Sequence, residues 1–453
     1  MPPIQPWTPS RRIPVGAPGV LLMGVLLGQP LPIVGAEPAV LRLTLRQALQ
    51  TALAENPKVH QSLLAIAEGA EERRVAASGL MPSVGAQALG QRAKNNLDAF
   101  IGLPTPHGPE VIGPFNWGQM GLEARATLFD LSVWSRWRAA QRAEEALKAQ
   151  GRAVREEIAA LVVGQYLRAL RAQAAIDATR SRVEVAESLA SLAESQQKQG
   201  VGTRLDSLRA QVQVQTERQR LIQARTQLKV ALAGLGKLLD VAAGTPFELA
   251  DTLAAPDLPA FTFQQAFETG LRQRPELVAL AAREQAAGKL RDAAQELRLP
   301  SLVATAGYAS TGLQNQPWAA TYQITLGVKV PLFTGGLVSA QVAKAKTEEA
   351  KVQEARRDVR GQVGLEVQVA QAELESARSE VEVAELTVTL ANEALVQARH
   401  RFEAGVANNV ELVAAQDDVA RAHDNRISAL YRMNQSRADL AKAMGQLESL
   451  FAK

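Results

Sequence analysis

Between Val363 and Phe402 the chain repeats every seven residues. Val367, Leu374, Val381, Val388, Leu395 and Phe402 hold one heptad position; Ala370, Ala377, Ala384, Ala391 and Ala398 hold the position three residues on. No member of either series is polar, which defines a coiled-coil seam, and its alanine side lets helix backbones approach closely. The seam is followed by Phe402-Glu403-Ala404-Gly405, then Val406-Ala407-Asn408-Asn409, and then a second helical pattern. A long helix therefore runs to a turn and comes back.

Composition agrees with long helices packed side by side. Aromatic residues are only 4% of the 453 residues, fewer than a globular core of this size normally uses. The net charge of +4 is spread along helical stretches as solvated faces rather than gathered into a nucleic-acid footprint. The chain has no cysteine, so disulfides, thiolate metal sites, a cysteine nucleophile and an acylated N-terminal cysteine anchor are excluded.

Residues 1–36 carry the features of an export signal: Arg11 and Arg12, the apolar run Val15 to Leu27, and small residues at Val34-Gly35-Ala36. No later segment reaches the roughly 20 apolar residues of a membrane-spanning helix. The expectation is an exported protein that no helix holds in a membrane.

Residues 37–240 read as one unit. Helical periodicity starts near Leu43, restarts at Asn56-Pro57, and breaks at Met81-Pro82-Ser83. The period then changes to two. Strands are expected over about 83–92 and 117–129, the second with Gly118, Met120, Leu122, Ala124 and Ala126 on one side and Gln119, Glu123 and Arg125 on the other. A proline- and glycine-rich loop from Asn95 to Asn116 separates them. Next comes a hairpin over 132–239 with its tip at 200–206. Its first arm of about 68 residues would be on the order of 100 Å long. Asp206 or Ser207 is the expected cap of the return helix. Residues 241–260, with three prolines, read as an irregular connector.

After the connector the same series of events recurs. Leu43, Pro57 and Pro82 reappear, all at one constant spacing, as Phe261, Pro275 and Pro300. Leu128-Phe129 reappears as Leu332-Phe333, and Gly200-Val201 as Gly405-Val406, at a slightly shorter spacing because the second strand loop is shorter. Residues 261–453 thus form a second copy, with strands expected at about 301–310 and 321–331 and a hairpin over 335–450 with its tip at 405–411. Trp117, Trp134, Trp137, Trp318 and Tyr322 gather in the strand regions, as the interfacial belts of a membrane barrel require.

The expected fold class is therefore mainly α with a membrane β-barrel, built from an internally duplicated helix, strand, strand, long helix, helix repeat. Four strands cannot close a barrel, and open edges are not tolerated in lipid. Three chains would supply a twelve-stranded β-barrel, and the same symmetry would close the hairpins into a long α-helical coiled-coil barrel.

Over nearly all of its length after residue 36 the chain resembles the TolC family of outer-membrane efflux proteins. The resemblance rests on the doubled layout, on Leu299-Pro300-Ser301 and Pro331-Leu332-Phe333, and on the turn sequences Gly200 to Gln211 and Gly405 to Gln416, which are similar to the family's G-x-x-x-x-L-D-x-L-x-A-(Q/E) tips. It implies a homotrimeric, passive, gated exit duct of a tripartite efflux or type I secretion system. That duct would sit in the outer membrane of a Gram-negative cell with a periplasmic extension. The implied partners are outer-membrane lipid, a periplasmic adaptor (membrane fusion) protein and an inner-membrane pump of RND, ABC or MFS type, without nucleic acid or cofactor. The competing reading is a periplasmic coiled-coil adaptor or tether without a pore; two hairpins and four amphipathic strands favour the channel.

By that resemblance Gly200, Val201, Gly202, Thr203 and Arg204 in one tip, and Gly405, Val406, Ala407, Asn408 and Asn409 in the other, are the adaptor-docking residues. Asp206 and Glu411 hold the family's acidic tip position, and threefold symmetry would make each a ring of carboxylates, a candidate constriction. The second turn holds no arginine, so a salt-bridge lock is not expected there. Gln119, Glu123, Arg125, Gln323 and Lys329 are expected to face the lumen; Met120, Leu122, Ile324, Leu326 and Val328 are expected to face lipid. A one-residue slip would invert both sets. His60, His107, His400 and His423 have no metal-ligand spacing, and no nucleophile–base or paired-carboxylate set is present, so neither a metal site nor an enzyme is expected.

Overall fold

The computed structural model describes residues 41–96, 111–200, 202–255, 261–313, 316–404, 406 and 409–451. The export-signal region, and Val201, Gly405, Ala407 and Asn408 of the tips, lie outside them. The chain from Leu41 onward forms one unit.

That unit is duplicated element by element. Strand β1 (Leu41–Leu43) leads into α1 (Leu45–Glu55) and α2 (Pro57–Ser78), then β2 (Ser83–Asn96) and β3 (Val111–Phe129), the long α3 (Leu131–Lys198) and the return helix α4 (Arg204–Leu238). After β4 (Phe247–Leu249) come α5 (Phe263–Gln273), α6 (Pro275–Glu296), β5 (Ser301–Leu313), β6 (Ala319–Lys329), α7 (Leu337–Glu403), α8 (Asn409–Ala443) and the short α9 (Leu447–Phe451). Matching helices agree in length: 11 residues for α1 and α5, 22 for α2 and α6, 68 and 67 for α3 and α7, and 35 each for α4 and α8.

Local chemistry sets the boundaries. Thr44 and Thr262 each cap the first helix of their repeat, with Gln47 and Gln265 completing capping boxes. Pro57 and Pro275 open the following helices at the position where a missing N–H costs nothing. Asp130 starts α3, its Oδ1 accepting from the N–H groups of Ser132 at 2.9 Å and Val133 at 3.3 Å.

The seam behaves as a seam. Val363, Val367, Ala370, Ala377, Val381, Ala384, Ala398 and Phe402 are buried, and Leu374, Val388, Ala391 and Leu395 half-buried. The matching face of α3 is interrupted by Gln165, Thr179 and Gln197, and the first two are satisfied. Gln165 donates to the carbonyl of Ala231 across the hairpin at 2.9 Å, and the Thr179 hydroxyl donates to the carbonyl of Ala175 at 2.7 Å.

Sheet order is β2-β3-β5-β6, antiparallel throughout, so the two repeats meet at the β3–β5 junction and β2 and β6 are the edges. Both hairpins run longer than the alternation indicates. Asn95 pairs with Ile112 and Asn96 with Val111, so both ends of the proline- and glycine-rich stretch belong to the ladder, with a register shift between Ala93 and Asn95. Gly113 beside Pro114 has φ +113°. The ladder absorbs these residues as an irregularity, which is where strands tolerate them.

The connector is also more ordered than its prolines indicate. Phe247–Leu249 pairs in parallel with Leu41–Leu43. This two-stranded sheet lies over the main core, where Leu49, Val162, Tyr166, Leu235, Phe247 and Leu447 converge. The buried Tyr166 hydroxyl lies 2.9 Å from the carbonyl of Leu43 and 2.8 Å from Oδ2 of Asp251, tying α3 to β1 and the connector.

Candidate functional site: a two-faced sheet and two helical tips

Register decides what the sheet can do. Cross-strand partners in an antiparallel ladder share a face, so one transverse row holds Gly85, Glu123, Gly307 and Gln323, and the next holds Ser83, Arg125, Thr305 and Thr325. Gln119 and Lys329 share that polar face. The opposite face holds Ala86, Leu122, Tyr308 and Tyr322 in one row and Val84, Ala124, Ala306 and Ile324 in another, with Met120, Leu326 and Val328 beside them. Tyr322, Ile324, Leu326 and Val328 are each 66% exposed or more, so this chain alone leaves the apolar face uncovered. A sheet with one apolar and one polar face, both open, suits lipid on one side and water on the other.

Aromatic rings mark both ends. Trp318, in the β5–β6 turn, lies over Gly118 and Gly312, where an added Cβ would come within 2.7 and 2.8 Å of its ring. At the other end, just after β3, Trp134 and Trp137 sit with centroids 4.9 Å apart, and Arg138 lies 5.3 Å over Trp134. No described helix is long and apolar enough to cross a membrane.

The first tip is a tight reversal. Gly200 has φ +76°, a left-handed conformation that glycine adopts without strain. The Gly202 N–H donates to the carbonyl of Gln196 at 3.0 Å, and a Cβ at Gly202 would meet Gln196 at 3.1 Å. The cap of α4 is Thr203, about one turn before the residues expected for that role. Asp206 turns back to complete its capping box, its backbone N–H 3.2 Å from Thr203 Oγ1 and its Oδ2 3.3 Å from the Thr203 N–H. Arg204 is exposed at the first helical position.

In the second tip the N–H of Ala404 donates to the carbonyl of His400 and that of Val406 to the carbonyl of Arg401, at 3.0 and 2.9 Å. Asn409 opens α8. Glu411 in its first turn reaches back to Arg401 on α7, Oε1 to Nε 3.3 Å. An ion pair therefore does cross this tip, contrary to the expectation from the turn sequence. Its arginine lies in the last turn of the descending helix, outside the loop itself. His400 is within 3.8 Å of Glu403, and both are exposed.

Two features carry no periodicity signal of their own. Leu205, Leu208 and Val212 on α4 and Val410 and Val413 on α8 frame a groove of about 560 Å³ beside the tips. Four of these are about half to two-thirds exposed: Leu205 54%, Leu208 48%, Val212 66% and Val410 54%. They lie off the coiled-coil seam, so a heptad reading passes over them. Further along, Leu170, Arg182, Glu217, Leu253, Gln416 and His423 line part of a cavity of about 620 Å³ between the hairpins. Arg182 bridges the hairpins by pairing with Asp424 on α8. Burial first, then the nearby Arg182 and Arg426, hold the His423 imidazole below its ordinary pKa. Among the described residues no group of three or more His, Cys, Asp or Glu side chains could hold a metal.

These features define a class: a membrane-channel subunit contributing a share of barrel wall and a share of helical tunnel. The outer membrane efflux protein model matches residues 48–240 and 267–446, one segment per repeat, and the chain belongs to that family of outer-membrane channels. Protein CyaE of Bordetella pertussis is 26% identical over 411 residues, covering 89% of this chain and 84% of that protein. Alkaline protease secretion protein AprF of Pseudomonas aeruginosa is 26% identical over 336 residues, 68% of this chain and 66% of its own length. In fold, the Campylobacter jejuni CmeC outer membrane channel superimposes with a TM-score of 0.75 at 19% identity, covering 89% of this chain and 86% of that one.

Proposed function

We propose that three copies close a twelve-stranded barrel in the outer membrane and a continuous helical tunnel beneath it, and that the assembly is a passive exit duct of a tripartite efflux or type I secretion system. The observation that carries this reading is the sheet. Among the described residues no further strand pairs with its two edge strands, β2 and β6, and its faces differ in polarity; closure with further copies is how such a sheet satisfies its backbone in lipid. Lumen-facing roles then fall to Gln119, Glu123, Arg125, Gln323 and Lys329, and lipid-facing roles to Met120, Leu122, Ile324, Leu326 and Val328.

The tips supply the partner surface. The groove of Leu205, Leu208, Val212, Val410 and Val413 offers an exposed apolar seat for the helical hairpin of a periplasmic adaptor, which links the duct to an inner-membrane pump, and the adaptor-docking role extends to the two turn sequences beside it. In a trimer Asp206 and Glu411 recur three times around the axis and form the acidic constriction, with Arg401 holding Glu411 in place. A relative named for alkaline protease secretion and a family model named for efflux fit one kind of duct serving different pumps.

The test is detergent extraction of outer membranes followed by light scattering and planar-bilayer recording. A mass of three chains with discrete ion-conducting steps is expected. A monomer mass, or recovery of the protein in the soluble periplasmic fraction, overturns the reading.

A further inference from the structure

The cavity between the two hairpins has no part in an exit duct, and its lining is that of a ligand site. It lies beside the contact of α3 with α8. Arg182 in its wall stands 18 residues before Gly200, on the order of 27 Å along the helix from the first tip. Leu170, Val185, Leu395, Val419 and Ile427 supply apolar wall. Leu253, from the connector, closes over it and packs both on the Tyr166 core and on the cluster of Ala377, Ala384 and Leu430. A volume of about 620 Å³ falls within the range of small-molecule sites.

The charges around this space are already compensated. Arg182 pairs with Asp424, and Arg426 lies 3.8 Å from Glu385. Oε1 of Glu217 accepts from Arg220 and, at 3.3 Å, from Gln213 Nε2. Oδ2 of Asp251 accepts from the Leu45 N–H and the Tyr166 hydroxyl, each at 2.8 Å. Burial keeps the His423 imidazole on its neutral side. What is left over is hydrogen-bonding capacity. Among the described residues six side-chain polar atoms are buried without a partner, and three of them belong to residues lining this one cavity: the donors Arg182 Nε and Gln416 Nε2, and the acceptor Glu217 Oε2. Glu217 itself is only 2% exposed. Such atoms cost stability until something pairs with them.

We propose that this cavity binds a neutral amphipathic small molecule, with an apolar body and an uncharged head that both accepts and donates hydrogen bonds, such as an amide or an alcohol. An ionic head would bring an uncompensated charge in among ion pairs that are already closed. A neutral head supplies an acceptor for the Arg182 and Gln416 N–H groups and a donor for Glu217, while its apolar body covers the leucine and valine walls. Water could satisfy the polar atoms but would leave those walls wet. Because the occupant touches α3, α4, α7, α8 and the connector, it ties the two hairpins together where the Arg182–Asp424 pair already bridges them. The site is built within one chain, so it goes beyond the exit-duct reading and does not need the trimer.

The probe is 4-benzoylbenzamide, a neutral photoreactive aryl amide, irradiated with the purified full chain in detergent, with labelled peptides mapped by mass spectrometry. Saturable labelling is expected within residues 177–186 and 416–427. Ser181→Trp, at an exposed position on the cavity lining, should lower it at least tenfold with helical circular dichroism unchanged. No saturable labelling in these segments, or labelling that Ser181→Trp leaves intact, overturns the proposal and leaves a cavity holding water only. The anionic twin 4-benzoylbenzoate should label at least tenfold more weakly; equal or stronger labelling overturns the neutral head. Gln416→Met should weaken labelling by the amide and spare labelling by 4-methylbenzophenone, which has no such head. Equal loss for both probes would mean that Gln416 only supports packing, and would overturn its assignment. A detergent mass of one chain would remove the exit-duct reading without touching this one, since the labelling is read within a single chain.

Discussion

At the residue scale, single polar groups hold this largely apolar scaffold in register. Tyr166 is fully buried, and burial first, then its bond to Asp251, raises its phenol well above the ordinary value. It acts as a neutral donor over all accessible pH, linking α3 to β1 and the connector. Tyr166→Phe leaves the Leu43 carbonyl and Asp251 without that donor and should cost about 1–3 kcal/mol, read as a lower denaturant midpoint at unchanged slope. His423 is the pH-sensitive counterpart. Its folded pKa lies below the ordinary 6.5, so the stability it contributes is present above that value and is lost as pH falls through the folded pKa. Charging it adds a cation beside Arg182 and Arg426, with Asp424 as the nearby opposing charge. Hydrogen-exchange protection over residues 177–186 and 419–427, corrected for the intrinsic rate, should therefore fall as pH drops from 7 to 5 in the native chain, and His423→Gln should flatten that dependence. Arg401 shows why such groups escape a sequence reading. The turn sequence holds no arginine; the partner of Glu411 sits in the last turn of the descending helix, and only the backbone reversal brings the two within 3.3 Å.

At the element scale, legibility follows periodicity. The two long hairpins, the heptad seam and the four central strands all repeat a local pattern many times, so the fold class is legible without coordinates. Elements whose cause lies elsewhere in the chain are not. The strands Leu41–Leu43 and Phe247–Leu249 are only three residues each and exist because they find each other across the whole of the first repeat. The start of β3 is hidden by Gly113 and Pro114, which look like loop until the facing strand is placed. Asp206 looks like a cap, but Thr203 takes that place and uses Asp206 as its partner. Stiffness is similarly non-local. The α7 seam has no polar member, yet α3 buries Ile158, Val162, Val163, Tyr166, Ala169 and Ile176 because it packs on α4 and also on α8. The α3–α8 packing is shared by the two hairpins, so it supports both. Near the second tip the packing rests on Leu412, 1% exposed among Leu189, Ala398, Phe402 and Ala415. Leu412→Ala should cost about 2–5 kcal/mol, with exchange protection lost around residues 189–193 and 398–415 and retained in the Tyr166 core. Protection lost equally throughout would mean that the hairpin ends are not a separate cooperative unit.

At the scale of the whole molecule, function turns on which side of the sheet meets lipid. Composition does not decide this, because each strand carries both kinds of residue and a one-residue slip exchanges them. The ladder does decide which residues act together: Glu123 with Gln323, and Arg125 with Thr325, on one face; Leu122 with Tyr322, and Ala124 with Ile324, on the other. Neighbours on one strand therefore make a controlled pair. Gln323 and Ile324 are both exposed in the single chain, so neither substitution disturbs a core. Arginine at a lipid-facing position near the midplane costs about 2–4 kcal/mol, whereas in a polar lumen it changes only the local field. Ile324→Arg should lower the yield of trimer extracted from outer membranes and the urea concentration at which the barrel unfolds. Gln323→Arg should leave both unchanged and shift the ion selectivity of the open conductance toward anions. The reverse outcome, with Gln323→Arg blocking assembly and Ile324→Arg altering selectivity, would turn the sheet inside out. It would leave the hairpins and the duplication intact and would require the aromatic rings at the two ends to be packed inside the barrel rather than at the membrane surfaces.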